Sequence, residues 1–182
     1  MARIAIVGDG PGGLSAALFL ARGGHETAVF GLGKTAMHYA FLNNYLGAPA
    51  VSGTAFQEAA IDQVSQAGAK VVREEVTGLT AGEGFVVTTD SGRFDADYVV
   101  LSEGKSAPLA AALGLAFTEA GGVAVDADQR SSNPHVYVIG RSVRPSRSQA
   151  IISAGDGAVA ALDILAREAG KDVQDWDSPP KE

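Results

Sequence analysis

The sequence predicts an α/β fold built around a parallel sheet. Three observations lead there. A strand runs through glycines into a helix and back to a strand between Ala2 and Phe30. Amphipathic helix and short strand alternate again between Thr54 and Arg73, and two later strands, Asp97–Leu101 and His135–Ile139, are apolar without alternation, as strands covered on both faces are. The composition fits a single compact domain with many tight turns: 182 residues, 46% hydrophobic and 19% charged, with 23 glycines.

Taken in order, Ala2–Val7 is a buried-type strand. Gly12–Arg22 carries Leu14, Ala17, Leu18 and Ala21 at helical spacing, and Gly23-Gly24 stops it. Glu26–Phe30, β-branched and aromatic, is the second strand and closes a βαβ unit. No period holds from Gly31 to Pro49; HYAFLNNYLGAP reads as an ordered loop, either a ligand rim or a packed surface segment. Thr54–Ala67 is a helix with Phe56, Ala60, Ile61 and Val64 on one face, followed by Gly68 and a third parallel strand, Lys70–Arg73. From Glu75 to Arg93 the period becomes two, with Asp90-Ser91-Gly92 as a turn, which predicts a meander or hairpin. Asp97–Leu101 is again a strand, Ser106–Leu115 a helical turn or two, GGVAVDADQ (121–129) a short strand, and His135–Ile139 the last buried strand. A final helix, Ser148–Glu168, carries Ile151, Ile152, Ala158, Val159, Leu162 and Leu165. Residues 1–170 are expected to form one domain and 171–182, with Trp176 and Pro179-Pro180, a flexible tail.

The totals exclude several functions. With no cysteine there is no dithiol redox pair and no thiolate metal site. A formal charge of −7 opposes nucleic acid and anionic membranes as partners. No run of apolar residues reaches the length of a membrane span and no signal sequence opens the chain, so a cytoplasmic location is expected. His25, His38 and His135 lack metal-ligand spacing, and Ser102-Glu103, His38-Tyr39 and His135 form no readable triad.

The chemistry lies in GDGPGG. Gly8, Gly10 and Gly13 match GxGxxG between a strand and a helix, where the first glycine makes the turn, the second admits a pyrophosphate and the third allows close packing. The free amides and the positive end of the helix dipole then point at one spot. The acid that ordinarily follows about 20 residues on, to accept from the adenosine ribose, is absent. Gly31 stands there.

GDGPGGLSAALFLARGG, the glycine ending strand two, LNNYLGAP, HVYVIGR and SQAIISAGDGAVAALDIL resemble, in that order, the FAD domain of low-molecular-weight thioredoxin reductases, within the pyridine nucleotide-disulfide oxidoreductases. The resemblance spans nearly the whole chain. It implies a three-layer FAD/NAD(P)-binding Rossmann-like domain, with a central parallel sheet, helices on one face and the β-meander on the other. Its implied FAD-binding residues are Gly8, Gly10, Pro11, Gly12 and Gly13 at the pyrophosphate, Gly31 at the ribose, Asn44 and Tyr45 near the flavin, Gly140 and Arg141 after the last strand, and Gln149 and Ala150 at the final helix. That helix would present its N-terminus to the flavin N1 and C2 carbonyl, where negative charge collects on reduction. Tyr39 and Tyr45 are candidates to stack on a ligand ring.

The chain departs from that pattern in places. Leu46 replaces a proline and Ser148 an arginine, and Arg141 stands where the family's aspartate accepts from the ribityl chain. Arg141, Arg144 and Arg147 read as a solvated turn or as an anion contact. Between Gly104 and Thr118 there is no room for the inserted NADPH domain with its CxxC, so a self-contained disulfide reductase is not expected. Three readings follow. The first is an FAD flavoprotein that transfers electrons as a minimal oxidoreductase, with NAD(P)H or a redox protein as partner in trans and an uncovered flavin face open to a homodimer or a docking protein. The second is a noncatalytic nucleotide-binding or interaction module of the same fold. The third, a dehydrogenase NAD domain, is disfavoured by Gly31.

Overall fold

The computed structural model describes residues 1–174. The chain runs from β1 (Arg3–Val7) through α1 (Pro11–Arg22) to β2 (Glu26–Phe30), then through a 3-10 turn, Ala36–Tyr39, to a hairpin of β3 (Phe41–Leu42) and β4 (Val51–Ser52). Next come α2 (Gly53–Gln66), β5 (Lys70–Val72), a three-stranded meander of β6 (Val76–Ala81), β7 (Phe85–Thr89) and β8 (Arg93–Ala96), and then β9 (Tyr98–Leu101). A short α3 (Pro108–Ala112), β10 (Val136–Val138), a 3-10 turn at Gly140–Ser142 and α4 (Ala150–Ala169) complete it.

The central sheet has the order β10-β9-β1-β2-β5, and every pair is parallel. β1 has β2 on one side and β9 on the other, so the sheet changes direction of winding there, and a crevice opens beyond the strands' carboxyl ends. Alternation along each strand divides the core. Ile4, Ile6, Val29, Val100, Tyr137 and Ile139 face Leu14, Ala17 and Leu20 of α1, Val64 of α2, and Ala160, Ala161 and Ile164 of α4. Ala5, Val99, Leu101, Val136 and Val138 turn the other way, onto Phe85 and Val87 of the meander and Ala110 and Leu115 around α3. The three layers are those the family resemblance implies. Each large aliphatic side chain so buried contributes about 1.5–3 kcal/mol relative to exposure.

Two helices of the outer layer approach unusually closely. A Cβ on Gly157 of α4 would lie 2.2 Å from the Gly12 carbonyl oxygen of α1, so the crossing depends on that glycine. It brings the first turns of α1 and α4 side by side, with the Ser153 carbonyl oxygen 3.0 Å from where a Gly12 Cβ would be.

Most elements agree with the sequence within a few residues at their ends; Phe41–Leu42, inside the segment expected to be a loop, pairs with Val51–Ser52 as a short hairpin, and one expected strand is absent. Residues 121–129 form no strand; only single antiparallel bridges occur nearby, Phe117 with Val123 and Arg130 with Tyr137. Their backbone amides go elsewhere: Val123 donates to Ser142 O at 2.9 Å and Asp126 to Arg130 O at 2.9 Å. The alternation of Val123 and Val125 reflects packing, with Val123 buried beneath the meander face. Gly170 caps α4 in the left-handed conformation, and Val173 packs back on the core. Trp176 and Pro179-Pro180 lie outside the described residues. Among the described residues, no helix is long and apolar enough to cross a membrane.

Candidate functional site

The carboxyl edge of the sheet gathers the glycine turn, the ends of β2, β9 and β10, and the first turns of α1 and α4. Gly8 leaves β1 at φ +109°, and a Cβ on it would sit 2.2 Å from Ser102 O at the end of β9. A Cβ on Gly13 would meet Gly8 O at 2.0 Å, so both glycines are required by the fold itself. Gly10 differs. A Cβ there would touch only Thr35 Oγ1 at 3.5 Å, which leaves open space against the backbone. Pro11 begins α1 at a position whose N–H would have no intrahelical partner, and no side chain caps this helix. By contrast Ser52 caps α2 through the Ala55 amide. The first turn of α1 therefore presents its amides and dipole end to a solvent-facing hollow.

At the end of β2 the vacancy at residue 31 is filled from within the motif. A Cβ on Gly31 would lie 2.4 Å from Cγ of Asp9, whose side chain occupies that space. Asp9 is 5% exposed. Its Oδ2 accepts from the Gly33 amide at 2.8 Å and from Arg73 Nη1 at 3.2 Å. Gln57, also buried, donates through Nε2 to the Asp9 carbonyl, leaving its Oε1 without a hydrogen-bond partner. Four segments thus meet at this end of the hollow, and the sequence singles out neither Asp9, Arg73 nor Gln57. The only signal was a glycine where an acid is usual.

Towards the other end a cleft of about 480 Å³ opens between the 36–44 loop and the segment from Arg141 to Ala150, with Met37, Leu42, Asn44, Arg141, Gln149 and Ala150 among its walls. Segments about a hundred residues apart meet across it, as Asn44 Nδ2 donates to Gln149 Oε1 at 3.1 Å. Gln149 is the N-cap residue of α4 but makes no side-chain cap, so this helix, like α1, starts with free donors. Arg141 lines the cleft with a buried Nε that has no hydrogen-bond partner. Arg144 pairs with Asp156 of α4, which also accepts from the Gly140 amide at 3.0 Å; it is a structural contact. Burial pushes the Asp156 carboxyl above the usual carboxylate range, against the pull of that amide and Arg144.

Tyr45 packs its ring on Phe56, 5.1 Å between centroids, and is not among the cleft walls. Tyr39 is 95% exposed. His38 meets Thr54 Oγ1 at 3.0 Å, and His135 stacks on Tyr98 at 4.9 Å, so both are occupied in structural roles. Among the described residues, no group of three or more His, Asp or Glu side chains is arranged to hold a metal.

After β9 the chain is closed by Glu103. Its carboxylate accepts from the amides of Leu109 at 2.8 Å and Ala110 at 3.1 Å, satisfying the start of α3, and burial raises it above the usual range. Ser142 Oγ donates to Gly104 O at 3.0 Å, tying that joint to the turn after β10.

The residues present fit a dinucleotide such as FAD. The open backbone at Gly10, two uncapped helix N-termini, an orphaned Arg141 Nε and a cleft of suitable size are what its pyrophosphate and ring system need. The strand-two end fits it by other means than a carboxylate side chain at residue 31.

A family model described as pyridine nucleotide-disulphide oxidoreductase matches residues 46–157. Among solved structures, a thioredoxin reductase from Gloeobacter violaceus is 20% identical with a TM-score of 0.88, over 96% of this chain and 98% of that one. The atypical thioredoxin reductase TRi from Desulfovibrio vulgaris Hildenborough is 18% identical, TM-score 0.80, over 92% and 99%. A thioredoxin reductase from T. acidophilum is 17% identical, TM-score 0.79, over 92% and 99%. These likenesses are of fold. No curated protein matches the chain.

Proposed function

The chain belongs to the pyridine nucleotide-disulphide oxidoreductase family, and from that membership we propose that it is an FAD flavoprotein whose electron donor and acceptor are supplied in trans. The observation that carries this reading is the meeting, on one sheet edge beside a cleft, of the glycine turn and the uncapped start of α4. FAD, when bound, supplies a carrier that exchanges hydride or single electrons.

The chain's own residues do the holding. Gly10, Gly12 and Gly13 offer amides to the pyrophosphate, and Gly8, Pro11 and Gly31 shape the turn and the strand end that flank it. Asn44, Arg141, Gln149 and Ala150 form the flavin end, with Gly140 beside Arg141 tied through its amide to Asp156 and Tyr45 supporting the loop on Phe56. With FAD bound, the uncapped first turn of α4 would favour negative charge beside it by about 0.3–1 kcal/mol, more where water is excluded. Arg141, with its unpaired Nε, is a donor to an anionic part of the ligand.

Trans supply of electrons follows from the absence of cysteine in these residues and from the short joint that Glu103 closes. NAD(P)H or a redox protein in the cytoplasm is the partner we propose, meeting the exposed Tyr39, Phe41 and Leu46 beside the cleft, with a second copy of the chain as the alternative cover. A noncatalytic nucleotide-binding module is the second reading, favoured by Arg141 in place of a ribityl acceptor.

Titration of the full chain with FAD, followed by desalting and absorption spectroscopy, tests the first reading. Retained flavin bands that bleach anaerobically with NAD(P)H are expected. Arg141→Ala is expected to weaken FAD by roughly ten- to a hundredfold, as loss of a charged hydrogen bond does. A colourless protein that still binds ADP would favour the second reading.

A further inference from the structure

The glycine turn is open where it meets solvent, and something must fix which way its peptides face. Gly8 is tied to β2 through its amide on Phe30 O at 2.8 Å, and the Gly10 carbonyl starts α1 by accepting from the Leu14 amide at 3.0 Å. The Asp9–Gly10 peptide between them belongs to neither strand nor helix. The Asp9 side chain is anchored on Gly33 and Arg73, yet rotation about the Asp9 Cα–C bond stays free, and Gly10 has no Cβ to resist the matching turn at its own N–Cα bond. Among the described residues, one hydrogen bond holds this peptide plane. Nε2 of Gln57, in the second turn of α2, donates to the Asp9 carbonyl. The Gly10 amide itself has no acceptor among the described residues.

Gln57 is 1% exposed, and it makes that bond at a cost. A carbonyl only accepts, so the side chain must present its nitrogen, and Oε1 is left buried without a partner. A methionine of similar size would fill the place with no orphaned oxygen, so packing does not account for a glutamine here. A trans peptide sets its C=O and N–H on opposite sides. With the carbonyl held towards α2, the Gly10 N–H is turned away from that helix. We propose that Gln57 is a positioning residue for the glycine turn: it locks the Asp9–Gly10 peptide with the Gly10 amide outward, so that the pyrophosphate seat is formed before the ligand arrives. The inference rests on the dinucleotide seat proposed above and names the side chain that sets it. Without the Gln57 bond the plane divides its time between two orientations, and only the outward fraction binds.

Stopped-flow mixing of the full chain, freed of bound nucleotide, with FAD tests it, read by flavin fluorescence on native and Gln57→Met protein. The association rate constant is expected to fall about three- to tenfold in Gln57→Met, as loss of one hydrogen bond allows, while dissociation changes by less than about twofold. The urea midpoint is expected to move little, because the variant loses a bond and an orphaned acceptor together. Unchanged association in the folded variant, whatever its midpoint, would overturn this inference alone. So would a weakened complex whose loss lies in dissociation. A second measurement needs no variant. In ¹H–¹⁵N spectra of the unliganded native chain, the Gly10 amide is expected to give one peak, weakly protected from solvent exchange, that moves when ADP is added. A doubled or strongly protected Gly10 peak would mean that the amide is not held outward, and would overturn the inference. If the native chain binds neither FAD nor ADP, the pyrophosphate seat itself fails, and both proposals fall together.

Discussion

Replacing Gly31 with alanine distinguishes a crowded strand end from an empty one by the sign of its effect on stability. Gly31 is not among the glycines of positive φ, so alanine carries no backbone strain there. In open space the change would stabilise by about 0.4–1 kcal/mol, through the reduced freedom of the unfolded chain. The structure instead puts the new Cβ 2.4 Å from Cγ and 2.7 Å from Oδ2 of Asp9, so the carboxylate must leave. Its departure breaks the bond from the Gly33 amide, worth about 1.5–3 kcal/mol to a charged acceptor. It also breaks the half-exposed pair with Arg73, worth about 0–1 kcal/mol after solvent screening. The net expectation is a loss of about 1–3 kcal/mol, or about 3–10 °C in Tm for a chain of this size. Urea unfolding followed by circular dichroism measures it, with an unchanged m-value as the check on two-state behaviour. The partner experiment is Asp9→Gly, in whose background Gly31→Ala is expected to be neutral or slightly stabilising. A stabilised single variant, or the same cost in both backgrounds, would refute the placement of Asp9.

Other expectations follow from the same geometry. Gly157→Ala drives a methyl to 2.2 Å from a backbone oxygen that cannot swing aside, so it should cost about 1–3 kcal/mol in urea unfolding and weaken nucleotide binding through the displaced glycine turn. The raised Glu103 carboxyl contributes stability that is fully present below its ordinary value of 4.5 and lost as pH rises through the folded value. The advantage of the native chain over Glu103→Gln should therefore shrink between acid and neutral pH, as read from urea midpoints. Asn44→Ala, which removes one exposed bond to Gln149, should leave Tm within about a degree or two while lowering FAD affinity several-fold.

The fold was readable from sequence because its signals are local. Gly8 and Gly13 punctuate one strand and one helix, and the apolar runs of β9 and β10 announce cover on both faces. The three layers came from the family resemblance, and the structure has them. At 121–129, alternating valines imitate a strand although the Val123 amide bonds to Ser142 and the Asp126 amide to Arg130. The site was readable in outline only. Asn44, Arg141, Gln149 and Ala150 line one cleft, but the Asp9–Arg73 pair joins residues 64 apart, and nothing in the spacing of either announces the other. Glu103 likewise caps a helix that starts five residues later, outside the usual capping spacing, and only the folded joint shows it. Tyr45, aromatic and in the expected loop, spends its ring on Phe56.

The central claim is that the two uncapped helix starts serve one dinucleotide. A crystal structure of the full chain grown with saturating FAD tests it most directly. The account predicts the pyrophosphate bonded to the amides of Gly10, Gly12 and Gly13 and the ring system in the cleft beside Arg141 and Gln149. Ordered FAD elsewhere on the surface, or solvent alone at the glycine turn under those conditions, would contradict it.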